Sequence, residues 1–171
     1  MQKHKKMWII LGLISIIFHI FLIFSGLIPN LISRPLHMAL IIPWIFLYKN
    51  EPLFNNILNY SFAILGLFSC FWISYNSNSL MDQYGFLENN FQVFIALILL
   101  LIVLEMARKS VGWPLPLVSL IALTYGLFGN LIPGEFGHPG IPLNSFLGTL
   151  TIAEGGIWGS LTGVSVSIVS I

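Results

Sequence analysis

Two short stretches near the end of this chain carry the residue types from which a membrane ion or solute site can be built. Glu154-Gly155-Gly156 joins an acid to a helix-breaking pair, and Thr162-Gly163-Val164-Ser165 follows within two helical turns. A helix interrupted at bilayer depth frees backbone carbonyls, which suit sodium together with Ser and Thr hydroxyls, and freed N–H groups that suit an anion. Glu154, Gly155, Gly156, Thr162, Gly163 and Ser165 are therefore the candidate ion- and substrate-binding residues. Ser160, Gly163, Ser167 and Ser170 also repeat at spacings that put small residues on one helical face. Such a face permits close packing between membrane helices, so packing and binding both remain open.

Other chemistry is sparse. The four histidines, at positions 4, 19, 37 and 138, are scattered. His19 lies inside an apolar run, where a proton or ligand site competes with a plain hydrogen bond to a neighbouring helix. Glu135 and His138 are only two candidate metal ligands within a Pro- and Gly-rich loop and read as loop residues. No metal site and no cofactor is expected. Cys70, the only cysteine, has no disulfide or zinc partner and reads as a small buried side chain. Glu105, Arg108 and Lys109, at helical spacings of three and four, can pair at a membrane surface. With no paired carboxylates, nucleophile elbow or glycine-rich phosphate loop, the chain is not read as an enzyme, and no catalytic residue is assigned.

The elements that must position these residues follow from composition. Of 171 residues, 57% are hydrophobic and 8% charged, with a mean hydropathy of +0.92. A soluble domain carries about 25% charged residues, so the lipid bilayer is the expected surrounding. A formal charge of +1 gives no basic footprint for nucleic acid. Crossing hydrocarbon takes about 20 apolar helical residues. Met7–Ile28 meets this and is too long for the core of a signal peptide. Ile57–Tyr75, Phe91–Ala107 and Pro114–Ile132 read as further spans.

Leu36–Tyr48 is only 13 residues, follows Arg34-Pro35 and contains Pro43, so it reads as a short tilted span or a re-entrant segment. Charge placement favours crossing. Lys3, Lys5, Lys6, Lys49, Arg108 and Lys109 then share one side, with Arg34 alone opposite. Cytoplasmic loops collect Lys and Arg, so the N-terminus is expected in the cytoplasm and the Asn76–Asn90 loop outside. The expected fold class is an all-α integral membrane protein with about five transmembrane helices and a C-terminal broken-helix hairpin.

Beyond Ile132 the pattern changes. Pro133-Gly134 and Pro139-Gly140 mark turns, and Asn144 or Ser145 is expected to cap a short helix running to about Ala153. An uncharged run of 15 residues, Ile157–Ile171, closes the sequence. It spans about 22 Å against a core of roughly 30 Å, which leads to the expectation of a partial chain.

Several of these stretches resemble one family. Gly112-Trp113-Pro114-Leu115-Pro116, Tyr125-Gly126-Leu127-Phe128-Gly129, Leu131-Ile132-Pro133-Gly134 and Gly156-Ile157-Trp158-Gly159 followed by Gly163-Val164-Ser165 are similar in order and spacing to fused permeases of tripartite ATP-independent periplasmic (TRAP) transporters. His138 in the external loop, Leu104-Glu105-Met106-Ala107-Arg108-Lys109 and Arg34-Pro35-Leu36-His37 also have counterparts there. The resemblance is strong over about residues 104–165 and weaker before that. It implies a sodium- or proton-coupled importer of small organic acids in the cell inner membrane, fed by an extracytoplasmic solute-binding protein. Residues 1–110 would form the small four-helix domain and 111–171 the beginning of the large permease domain, completed by a remaining domain or chain. Two positions depart from the family pattern. Gly159-Ser160-Leu161-Thr162-Gly163 lacks the usual proline, and Glu154 stands one residue earlier than the family acid. The competing expectation is a non-transporting accessory or scaffold protein, which needs only the packing face.

Overall fold

The computed structural model describes residues 5–25, 28–48 and 52–170. Lys3, His4, Lys49 and Ile171, all named above, lie outside them, as does the Ser170 side chain. The described residues form helices α1 (Lys5–Ser25), α2 (Asn30–Leu47), α3 (Leu53–Tyr75), α4 (Ser77–Asp82), α5 (Asn90–Val111), α6 (Pro114–Phe128), α7 (Leu143–Thr151) and α8 (Ser160–Ser170), with no strand among them. A single 3-10 turn, Gly129–Leu131, prolongs α6. Five of these helices are long and apolar enough to cross a membrane: α1, α2, α3, α5 and α6 with its 3-10 turn.

The core is built on α2 and α3. On α3 the buried positions Asn59, Ala63, Cys70 and Ile73 recur at helical spacing, as one face of a 3.6-residue repeat requires. They meet Ile42 and Phe46 of α2, with Phe46 stacked on Phe62 at 5.7 Å. The buried face of α5, with Ile95, Leu99 and Ile102, closes the other side. Cys70 is fully buried in this cluster. By contrast α1 buries only His19 and presents Ile9, Leu13, Ile17 and Phe24 outward. Outward apolar side chains are what a lipid-facing helix needs.

Local chemistry sets the ends of α5. The Asn89 side chain accepts the Gln92 N–H at 2.9 Å, while the Gln92 side-chain oxygen Oε1 accepts the Glu88 N–H at 2.8 Å. The first bond satisfies a donor that a helix start leaves unpaired, and the second ties the residue before the cap to the first turn. At the other end Arg108 pairs with Glu105 through two bonds of 2.6 and 2.7 Å, so the expected local pair forms. Arg108 also lies 5.3 Å over the Trp113 ring.

Three expectations need correction. The second run is an 18-residue helix, because α2 begins at Asn30 and continues through both Pro35 and Pro43. Each proline removes one N–H from the helical ladder, yet packing on α3, α5 and α8 keeps the helix continuous. A short helix, α4, occupies part of the 76–90 segment expected to be loop. Finally, neither Asn144 nor Ser145 caps α7: the cap position is Pro142, and the Asn144 side chain instead donates to the Leu87 carbonyl at 2.9 Å.

That last bond anchors α7 on the 85–87 loop, and Gly148 allows the approach. A Cβ there would meet the Gly85 carbonyl and sit 3.2 Å from the Phe86 nitrogen, both backbone atoms. Gly148→Val should therefore loosen α7 from the bundle and destabilise the chain by about 1–3 kcal/mol, the usual range for overpacking. Chemical unfolding in detergent micelles checks this.

Candidate functional site

The turn between α7 and α8 is where the fold concentrates polar backbone. α7 ends at Thr151, and the chain doubles back so that Ile157 N–H donates to the Leu150 carbonyl at 2.8 Å. Gly159 N–H donates to Gly156 at 2.9 Å, which delays the start of α8 to Ser160, three residues into the final apolar run. Trp158 is fully buried and its indole N–H donates to the Thr151 carbonyl at 2.7 Å, pinning the turn from inside. The break predicted at Glu154-Gly155-Gly156 is thus present as an ordered turn.

The carbonyls of Ile157, Trp158 and Gly159 in this turn are not vacant. Arg34, from the first half of α2, donates through Nη1 to the Gly159 carbonyl at 3.0 Å and also to the Trp158 carbonyl. The Thr162 hydroxyl bonds the Ile157 and Gly159 carbonyls at 2.9 and 3.0 Å. A side-chain cation of the protein therefore holds oxygens that the sequence offered to a coupling ion. Gly163 makes the approach possible: a Cβ there would lie 2.8 Å from Arg34 Nη2.

One turn further along α2, His37 faces α8 and donates or accepts at 3.2 Å with the Ser165 hydroxyl. His37 and Ser165, with Gly155, Gly156, Ser160 and Thr162, line a cavity of about 440 Å³ whose apolar wall includes Met38, Ile41, Val103 and Met106. Four of the six candidate residues, Gly155, Gly156, Thr162 and Ser165, therefore share one cavity, and Gly163 stands beside Arg34. Glu154 does not join them. It is exposed and borders a separate pocket of about 340 Å³ with Leu80, Tyr84 and Ala153. The cavity is mostly apolar, with its few polar side chains on the His37 and α8 side. It can hold a small molecule with a polar head against His37, Ser160, Thr162 and Ser165.

Arg34 and His37 are the site residues that reading the chain locally misses, since they lie 124 or more positions from their partners. The small-residue face is used unevenly. Gly163 packs, Ser160 borders the cavity, and Ser167 is exposed with its hydroxyl returned to the Gly163 carbonyl at 3.0 Å. No group of three or more His, Cys, Asp or Glu that could hold a metal occurs among the described residues.

His138 lies apart, in the loop after α6. Its Nδ1 bonds the Pro139 carbonyl at 2.7 Å and its Nε2 the Tyr125 carbonyl at 3.1 Å. Carbonyls only accept, so both ring nitrogens donate when the imidazole is charged. The Pro139 bond, followed by the Tyr125 bond, holds the His138 pKa above its ordinary value.

No family model matches this chain, and neither a curated protein nor a solved structure matches it.

Two outcomes follow. Arg34→Met removes charge-assisted bonds to two turn carbonyls and should cost about 1.5–3 kcal/mol, read as faster proteolysis within residues 152–170. For His138 the folded pKa exceeds the unfolded one, so its contribution is present at low pH and lost as pH rises through the folded value. The loop between Gly129 and Pro139 should accordingly gain amide exchange above neutral pH, beyond the intrinsic rise, and His138→Gln should abolish that excess.

Proposed function

We propose that this chain is a membrane permease component of a TRAP-type transporter, which takes up small organic acids using an ion gradient and an extracytoplasmic solute-binding protein. The observation that carries this reading is a contact between two stretches that resemble the family. Arg34-Pro35-Leu36-His37 and the segment from Gly156 to Ser165 are far apart in sequence, yet Arg34 bonds Trp158 and Gly159, and His37 bonds Ser165. Together they border the 440 Å³ cavity. Its size and polar side suit a small carboxylate.

On this reading the chain lies in the cell inner membrane with its N-terminus in the cytoplasm, and residues 1–110 and 111–171 correspond to the small domain and the start of the large one. A remaining permease domain or chain supplies the rest of the solute path. Gly155, Gly156, Thr162 and Ser165 contribute to the ion and solute site, with Gly163 giving Arg34 its place. Glu154, exposed beside the second pocket, is a peripheral member at most.

The scaffold reading also draws on a specific observation. Arg34 and Thr162 already occupy the turn carbonyls, and α8 packs on α1 and α2, which is what a purely structural hairpin would do.

Uptake separates the two. Clean deletion of the gene should abolish gradient-driven uptake of at least one acid in a panel of labelled small carboxylates. Ser165→Ala should lower that uptake at unchanged membrane levels of the protein. Undiminished uptake of the whole panel after deletion would overturn the proposal, while loss of assembly without a specific uptake defect in Ser165→Ala would favour the scaffold.

A further inference from the structure

α1 touches the bundle through very little. Among its described residues only His19 is buried, and that imidazole is hydrogen-bonded at both nitrogens. Its Nδ1 lies 2.7 Å from the Ser15 carbonyl of its own helix, and its Nε2 lies 2.8 Å from His37 Nδ1. The other nitrogen of His37 lies 3.2 Å from the Ser165 hydroxyl of α8, at the cavity wall. Three helices thus meet in one chain of hydrogen bonds.

The carbonyl at one end fixes the direction of that chain. Ser15 C=O can only accept, so His19 Nδ1 carries a proton. A neutral His19 then accepts at Nε2, His37 Nδ1–H donates to it, and His37 Nε2 is left as an acceptor for the Ser165 O–H. Every polar atom is satisfied with both rings neutral. The sole basic lone pair that can be reached without breaking the chain is His37 Nε2, and it faces the cavity.

We propose that His19 and His37 form a one-proton site, loaded from the cavity at His37 Nε2 beside Ser165. A hydronium ion in the cavity gives up its proton to Nε2, leaving water, and the Ser165 hydroxyl rotates from donor to acceptor. The positive charge is shared across the pair, because the Nδ1 proton of His37 can pass to His19 Nε2 while Ser15 still accepts from His19. A second proton is excluded while the contact lasts: it would set two N–H groups against each other at 2.8 Å. Such a pair titrates as a unit and not as two residues.

The surrounding charges are few. On α2, Arg34 stands one turn away but is committed to the Trp158 and Gly159 carbonyls. α8 brings no titratable side chain, and α1 brings Lys5 and Lys6 only at its far end. Across the cavity α5 presents Val103 and Met106, with its Glu105 paired to Arg108 and its Lys109 over the Phe46 ring. α3 carries Tyr60, Cys70 and Tyr75, and α4 carries Asp82; the pair's hydrogen bonds go to none of these but to Ser15 and Ser165. Glu154, next to the cavity-lining Gly155, is exposed at the second pocket, so among the described residues no carboxylate is bonded to the pair, and an acidic molecule in the cavity is its natural counter-ion. As a proton site the pair needs only the packing of α1, α2 and α8. As the coupling site of an importer it rests on the transport reading above.

The test is ¹⁵N NMR of the full chain, histidine-labelled, in phospholipid nanodiscs from about pH 9 down to about pH 3, a range that runs well past the ordinary histidine value near 6.5 on both sides. The expected result is a nitrogen–nitrogen coupling across the His19–His37 bond and one joint transition worth a single proton. His19→Gln should abolish the coupling and leave a transition confined to the His37 ring, while Ser165→Ala should keep the coupling. Two independent one-proton transitions without coupling in the wild-type chain would overturn the proposal, whether or not either variant folds. A joint transition in a chain whose deletion leaves uptake untouched would keep the proton site and sink the transport reading.

Discussion

The turn between α7 and α8 depends on one guanidinium. Backbone carbonyls that leave a helix and are shielded from solvent must find donors within the protein. Arg34 supplies them from the first half of α2, just before the sequence's second apolar run, and Thr162 adds a hydroxyl. The rest follows from that requirement. α2 must extend far enough toward its N-terminus to present Arg34, so it runs through Pro35. α8 must be small at Gly163 so that the guanidinium fits. The buried Trp158 then locks the inside of the turn against Thr151.

α2 consequently has two unlike faces. Ile42 and Phe46 turn toward α3 and give the bundle its apolar centre, while Arg34 and His37 turn toward α8 and give it a polar seam. Burying polar groups in this way is tolerated because each is bonded. The cavity lies along the seam and inherits its mixed character.

Much of the architecture was legible in the sequence, and the reasons are physical. Long apolar runs with few or no charges fix the existence of α1, α3, α5 and α6, since little else accommodates so many apolar residues in order. The Gly155-Gly156 break and the cavity-lining Thr162 and Ser165 were legible because helix interruption and hydroxyl placement are local properties. What escaped was non-local. Pro35 and Arg34 read as a helix boundary and a loop charge, because nothing nearby in sequence reveals the carbonyls that Arg34 serves. Asn144 looks like a cap until the Leu87 carbonyl is brought beside it. Glu154 reads in sequence beside Gly155 and Gly156, whereas the fold turns it toward a separate pocket, exposed and apart from the other candidates.

The thin attachment of α1 has a consequence for its register. Near one end Trp8 packs at 4.9 Å from Trp44 and 5.4 Å from Tyr48, and farther along His19 meets His37. Most of the surface between is interchangeable aliphatic side chain, which would let a helix slide or spin in lipid without penalty. A slip of one residue turns the helix by about 100° and advances it by about 1.5 Å. That would swing the imidazole away from its partner and separate the rings at the other end. Two widely spaced specific contacts therefore act as a vernier, fixing both the rotation and the depth of an otherwise featureless rod.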